Sequence, residues 1–106
     1  MADAESLMAG VRTRADALRS LGYRVRFDLT DTGESILLDA TGGGTPSIEV
    51  VGTEEEADTV LRLSAADAEK LMRGKLSPML AFSTGRLRVE GSKGVAMKLA
   101  SLLDED

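Results

Sequence analysis

The sequence predicts an α+β fold, a five-stranded mainly antiparallel sheet with helices packed on one face, and three observations carry that prediction. Apolar residues alternate with polar ones in five short segments, the period of a half-buried strand. In four other segments they recur at helical spacing instead. The helices are segregated from the run of strands, which is the α+β arrangement.

The first helix is expected over residues 3–21. Leu7, Met8, Val11, Ala15, Leu18 and Leu21 share a face there, acids precede arginines as the dipole favours, and Gly22 is the stop. Its mixed charge marks it as a cover for a core in preference to a membrane-surface helix. Residues 23–30 then alternate, with Tyr23, Val25, Phe27 and Leu29 inward and Arg24, Arg26, Asp28 and Thr30 outward. Asp31, Thr32 and Gly33 turn the chain into a second strand over residues 34–41, where Ile36, Leu38 and Ala40 face in. Leu37 is the one apolar residue on its outer face, where it either covers a neighbour or marks a contact.

Gly42, Gly43 and Gly44 with Thr45 and Pro46 look like a phosphate cradle only superficially. No Lys-Ser/Thr pair and no helix start follow, so a hairpin loop is expected. Residues 47–51 make a third strand with Ile48 and Val50 inward. Glu54, Glu55 and Glu56 read as a solvated turn, without the interleaved Asp or Asn and the Gly of a calcium loop. A fourth strand covers residues 58–64, with Thr59, Leu61 and Leu63 on the face opposite Asp58, Val60 and Arg62. Ser64 and Asp67 form a capping-box-like pair that opens a helix directly, with Ala65, Ala68, Leu71 and Met72 as its buried stripe and Gly74 as its end.

Ser77 as cap and Pro78 at the first helical position begin a shorter helix carrying Met79, Leu80 and Phe82, closed by Gly85. The fifth strand, residues 86–90, points Leu87 and Val89 inward. After Gly91 and Gly94 the last helix presents Val95, Leu99 and Leu102, flanked by Ala96 and Leu103, with Lys93, Lys98 and Ser101 on its other side. Asp104, Glu105 and Asp106 oppose the dipole at that end, so the tail is expected to fray. With no linker or repeat, residues 1–106 are expected to form one domain, as suits a chain of 106 residues.

Composition excludes several functions. A formal charge of −5, with arginines spread along strands, speaks against a nucleic-acid partner. Gly91-Ser92-Lys93-Gly94 resembles the GXXG clamp of one class of RNA-binding domain, but that clamp joins two helices and here a strand precedes it. The chain has no Cys and no His, so disulfides, thiolate metal sites and Ser–His or Cys–His nucleophiles are ruled out. No catalytic residue, metal site or cofactor is expected. Lys75, Lys93 or Lys98 could form a Schiff base, but no neighbour that would depress a lysine pKa is identifiable. No apolar run approaches the ~20 residues of a membrane span, and no signal segment is evident, so a cytoplasmic protein is expected.

The apolar sheet face must accept stripes from four helices, more helical apolar surface than a two-layer core of this size needs. Either a stripe stays exposed or a cavity is enclosed. Met72, Met79 and Met97 suit an adaptable lining and suit ordinary core filling equally well.

One motif combination goes further. Leu71-Met72-x-Gly74-Lys75-x-x-Pro78-x-x-Ala81-Phe82-x-x-Gly85-x-Leu87, with Gly91 and Ala96-Met97-Lys98-Leu99, resembles the sterol carrier protein type 2 domain. The resemblance covers residues 58–103 closely and the earlier half in element order. It implies helices on one side of the sheet enclosing a hydrophobic tunnel for a sterol, fatty acid, fatty acyl-CoA or phospholipid, in a non-enzymatic carrier or lipid-presenting module. By position it implies a lining of Met79, Phe82, Leu87, Val95, Met97, Leu99 and Leu102, with the last helix as lid. Together with Phe27, Met72 and Val89 these are the candidate ligand-binding residues. Arg86 and Arg88 stand where family lysines are common. Peroxisomal members end in a targeting tripeptide, whereas this sequence ends Asp-Glu-Asp, so that destination is not expected. The expected partner is a lipid, with transient membrane contact and a protein partner as further expectations. The alternative is an accessory module of lipid or quinone biosynthesis that works by protein interaction.

Overall fold

Two helical segments, α1 (Ala4–Thr13) and α2 (Ala15–Leu18), lead into strands β1 (Arg24–Leu29), β2 (Ser35–Asp39), β3 (Ser47–Val51) and β4 (Thr59–Leu63). Then come α3 (Ala65–Met72), α4 (Pro78–Ser83), β5 (Arg88–Gly91) and α5 (Lys93–Leu103). The structure is a computed structural model that describes residues 4–103; the fraying expected of residues 104–106 lies outside the described residues.

The single amino-terminal helix expected from periodicity is two segments. At the junction the Thr13 hydroxyl donates to the Gly10 carbonyl at 2.7 Å and the Arg14 N–H reaches Val11 O at 3.0 Å, which tightens the turn. The Arg14 guanidinium then donates to Leu103 O at 3.1 Å, at the far end of α5. The break is local, and Leu18 and Leu21 are still fully buried beyond it.

The sheet runs β3-β2-β1-β4-β5. All neighbours are antiparallel except β1 and β4, which pair in parallel. Since β3 and β4 both run with β1, residues 52–58 must carry the chain from one edge of the sheet back across β2 and β1. They cross on the face away from the core. Arg24 and Arg26, which alternate with the buried Val25 and Phe27, point to that face and hold Glu55. The Arg24 guanidinium contacts the Glu55 carboxylate at 3.0 Å, and the Arg26 guanidinium donates to Glu55 O at 2.8 Å. The glutamate run is thus a solvated turn at Glu54 and Glu56, which are exposed, pinned to the sheet through Glu55 as a strap.

That crossing explains Leu37. It lies beside Arg26 in register, on the outer face, yet only 2% of it is exposed, and it stands apart from the main core. The strap is the chain segment that crosses this face, so Leu37 covers a neighbour. A second departure is Val50, expected inward but largely exposed on the edge strand β3. Tyr23 is also partly exposed, with the Lys98 ammonium 5.3 Å from its ring centroid.

The strap rests on a charged lattice centred on Asp28. Arg26 donates to both of its carboxylate oxygens at 2.8 and 3.0 Å, and the Ser35 hydroxyl donates at 2.8 Å. Burial pushes the Asp28 carboxyl up, but the hydrogen bonds from Arg26 and Ser35 and the charges of Arg26 and Arg62 outweigh it and hold the group below the ordinary range.

On the other face Val25, Phe27, Leu29, Ile36, Leu38, Leu61 and Leu63 meet the helices in one core. α1 approaches α3 so closely that a Cβ on Gly10 would sit 3.1 Å from Met72 Cβ. The β5 edge needs a similar approach. Gly91 has φ +83°, and a Cβ there would lie 2.9 Å from Asp58 O.

Candidate functional site

The carboxyl-terminal third builds a cleft from α4, β5 and α5. The Ser77 side chain caps α4 by accepting the Leu80 N–H, and Pro78 occupies its first turn. After Gly85 the chain doubles back at once, because the N–H groups of Arg86 and Leu87 both bond to Ala81 O, at 2.9 and 3.1 Å. This turn sets α4 beside β5. The Arg86 guanidinium fastens it to Asp67 of α3 at 2.7 Å. α5 is fixed at both ends. Ser92 Oγ accepts the Val95 N–H at 3.2 Å, the Ser92 N–H bonds to Asp58 O at 2.9 Å, and Leu103 O receives Arg14.

Between these walls is a cleft of about 160 Å³, lined by Pro78, Met79, Phe82, Leu87, Val89, Lys93, Ala96, Met97 and Ala100. Beneath it lies a recess of about 30 Å³ against Phe27, Leu61, Leu71, Leu99 and Leu103, which shares Pro78, Leu87, Ala96 and Ala100 with the cleft. Space remains because Ala96 and Ala100, one helical turn apart, present only methyl groups to α4. Lys93 is the one charged residue of the lining. A wider groove continues over β5 past Arg62, Phe82, Arg88, Glu90 and Lys93. Arg62 is paired with Glu90 there, whereas Arg88 and Lys93 have no ion pair among the described residues.

Of the ten candidate residues, Met79, Phe82, Leu87, Val89 and Met97 meet in the cleft, and Phe27 and Leu99 form part of the floor of the recess. Three lie elsewhere. Met72 is buried against Gly10 in the α1–α3 contact, Val95 points into the core, and Leu102 packs on the core's flank. The lining residues that periodicity passed over are Pro78, Lys93, Ala96 and Ala100. Small residues give no hydrophobic signal, although the Ala96/Ala100 spacing opposite two methionines and a phenylalanine was there to be read.

The apolar surplus appears as exposure. Met79, Leu80, Phe82 and Met97 are 61, 55, 51 and 63% exposed, and they are four of the six large hydrophobic residues exposed among those described. α4 buries only Pro78 and Ala81. Among the described residues no three potential metal ligands gather, and no helix is long and apolar enough to cross a membrane. Such a cleft can take an apolar chain out of water and meet its polar end at Lys93.

A family model described as the SCP-2 sterol transfer family matches residues 4–104. The chain belongs to this family. The bovine (Bos taurus) hydroxysteroid dehydrogenase-like protein 2 is 35% identical over 78 residues, 74% of this chain but 16% of that protein. The chain therefore spans about a sixth of that relative. A solution structure of palmitated SCP2L2 from Aedes aegypti superposes with a TM-score of 0.70 at 18% identity, covering 95% of this chain and 94% of that one. A structure described as the UbiJ-SCP2 ubiquinone synthesis protein superposes at TM-score 0.58 and 24% identity, over 89% and 74% of the two chains. At these identities the two structures establish a shared SCP-2 fold. The sequence-level membership rests on the family match, which spans every element described.

Proposed function

We propose that the protein binds a hydrophobic ligand, a fatty acid, fatty acyl-CoA, sterol or phospholipid, in the α4–β5–α5 cleft and carries or presents it without chemical change. The supporting observation is the apolar cleft continuous with a recess that reaches Phe27. A buried methylene contributes roughly 0.8 kcal/mol, so an acyl chain reaches micromolar affinity after ordering costs without a polar anchor. Ligand pockets usually measure about 300–1,000 Å³. At about 160 Å³ this cleft takes a whole ligand only when its walls part. Met79 and Met97 are unbranched and exposed, so they can swing aside at little cost. In this reading the tunnel expected of the family is the bound form of the cleft. The palmitated relative supports the assignment of ligand class.

A second reading, an accessory module that engages a protein partner in a lipid or quinone pathway, is favoured by the exposed α4 stripe and the likeness to the ubiquinone synthesis protein. Native mass spectrometry and thermal shift with each lipid class separate the two. The carrier reading expects co-purifying lipid or a raised melting temperature. It also expects Met97→Asp and the cleft-filling Ala100→Trp to abolish the shift while the chain stays folded. No response across all four classes, or unchanged affinity in both variants, overturns it.

A further inference from the structure

We infer that the free edge of β5 is a docking site for an extended acidic segment of a partner protein, which joins the sheet as a sixth strand. The inference rests on the protein-partner reading and deepens it by naming the surface and the chemistry of the partner. Register frees the edge. β5 ends the sheet and pairs only with β4. In that ladder the Ser92 N–H bonds to Asp58 O at 2.9 Å, and hydrogen-bonded positions recur at every second residue. Arg88 and Glu90 therefore turn their backbone groups toward β4, and Val89 turns its N–H and C=O away from it. The Thr59 hydroxyl, which donates to Glu90 O at 3.0 Å, holds that carbonyl on the β4 side. The groove over β5 gathers Arg62, Arg88 and Glu90 from the outer face of the sheet and Phe82, Leu87 and Val89 from the helix side, so it passes around this edge.

Charge selects the occupant. Arg62 and Glu90 are paired, whereas Arg88, opposite Arg62 in register, has no ion pair among the described residues. Lys93 at the start of α5 is also without one and lines the same groove. Residues 73–103 hold Arg73, Lys75, Arg86, Arg88, Lys93 and Lys98 against Glu90 alone. Two copies joined edge to edge would bring these basic regions together, and a strand of 4 residues offers far less than the ~1,600 Å² that a stable interface buries. An acidic segment meets the charge, and its main chain supplies the partners that Val89 lacks. In an antiparallel addition the residue opposite Val89 shares its face and lies at the cleft mouth beside the exposed Phe82, so it is apolar. The residue after it stands opposite Arg88 on the outer face and is Asp or Glu. The residue before it stands opposite Glu90 and is neutral.

The test uses the full chain and the fluorescein-labelled peptide Ser-Val-Thr-Leu-Glu-Thr, read by fluorescence anisotropy. The peptide is expected to bind, and its counterpart with Lys in place of Glu to bind about fivefold more weakly. Arg88→Glu should reverse that preference. Methylation of the leucine nitrogen removes the N–H that Val89 O accepts and should weaken binding roughly tenfold. Amide hydrogen exchange at Val89 should slow when the unmethylated peptide is bound. Binding that ignores both N-methylation and Arg88→Glu overturns the edge site while leaving a protein partner elsewhere on the chain. Absence of binding by either peptide overturns the inference outright. A dimer in sedimentation velocity that Arg88→Glu abolishes overturns it in favour of a second copy. Peptide binding by a chain whose melting temperature no lipid class raises upholds the inference and counts against the carrier reading.

Discussion

Residues 4–72 and residues 73–103 place their apolar side chains differently. In the first region Val50 and Tyr23 are the only exposed large apolar residues among those described, and its charges interlock through Asp28 and the strap. In the second, Leu87, Val95, Leu99 and Leu103 anchor the elements, while Met79, Phe82 and Met97 line a cleft and, like Leu80 on α4, face solvent. A domain of this size has stability of only about 5–15 kcal/mol. The first region supplies the burial that holds the fold, and the second can leave apolar surface exposed because its backbone is tied to the first through Arg86–Asp67, Ser92–Asp58 and Arg14–Leu103.

The sharpest test of this division compares two phenylalanines. Phe27→Ala removes a fully buried ring and is expected to cost about 3–5 kcal/mol in urea unfolding. Phe82→Ala should stay within about 0.5 kcal/mol while weakening ligand binding. Similar losses at both sites would break the comparison.

Leu37 probes the strap. If the strap is a second, smaller cover, Leu37→Ala costs about 2–3 kcal/mol although the residue sits on the sheet's outer face. An effect as small as that of Leu80→Ala would show that the outer face carries no core.

The smallest effect is electrostatic. Asp28 and Asp39 are held below the ordinary carboxylate range, Asp28 against its burial by Arg26 and Ser35, and Asp39 by hydrogen bonds from Thr41. Their contribution is therefore present above the unfolded value of about 3.9 and is lost as pH falls through the lowered folded values. Melting temperature should drop below about pH 4, and Ser35→Ala should make that drop shallower. An unchanged slope in Ser35→Ala would remove Asp28 from the account.

Strands, turns and caps were legible because their causes are local. Alternation around Phe27 and Leu61, the Ser64 and Ser77 caps, and the stop at Gly85 each act within a few residues. The break at Arg14 was not legible, since the tightened turn from Arg14 N–H to Val11 O leaves the apolar spacing on either side of it in phase. Val50 was read as buried because alternation names a face and not whether a helix reaches it. The motif over residues 71–99 pointed to the third of the molecule that holds the apolar cleft, yet it grouped Met72 with that cleft, whereas the missing side chain of Gly10 lets Met72 pack into the α1–α3 contact.

By itself the sequence determined the α+β class, the order of elements, the absence of thiol and imidazole chemistry, and the family. Tertiary structure alone decided which apolar residues stay outside the core. Periodicity records that a side chain prefers to leave water, and only packing determines whether enough neighbours converge to let it do so.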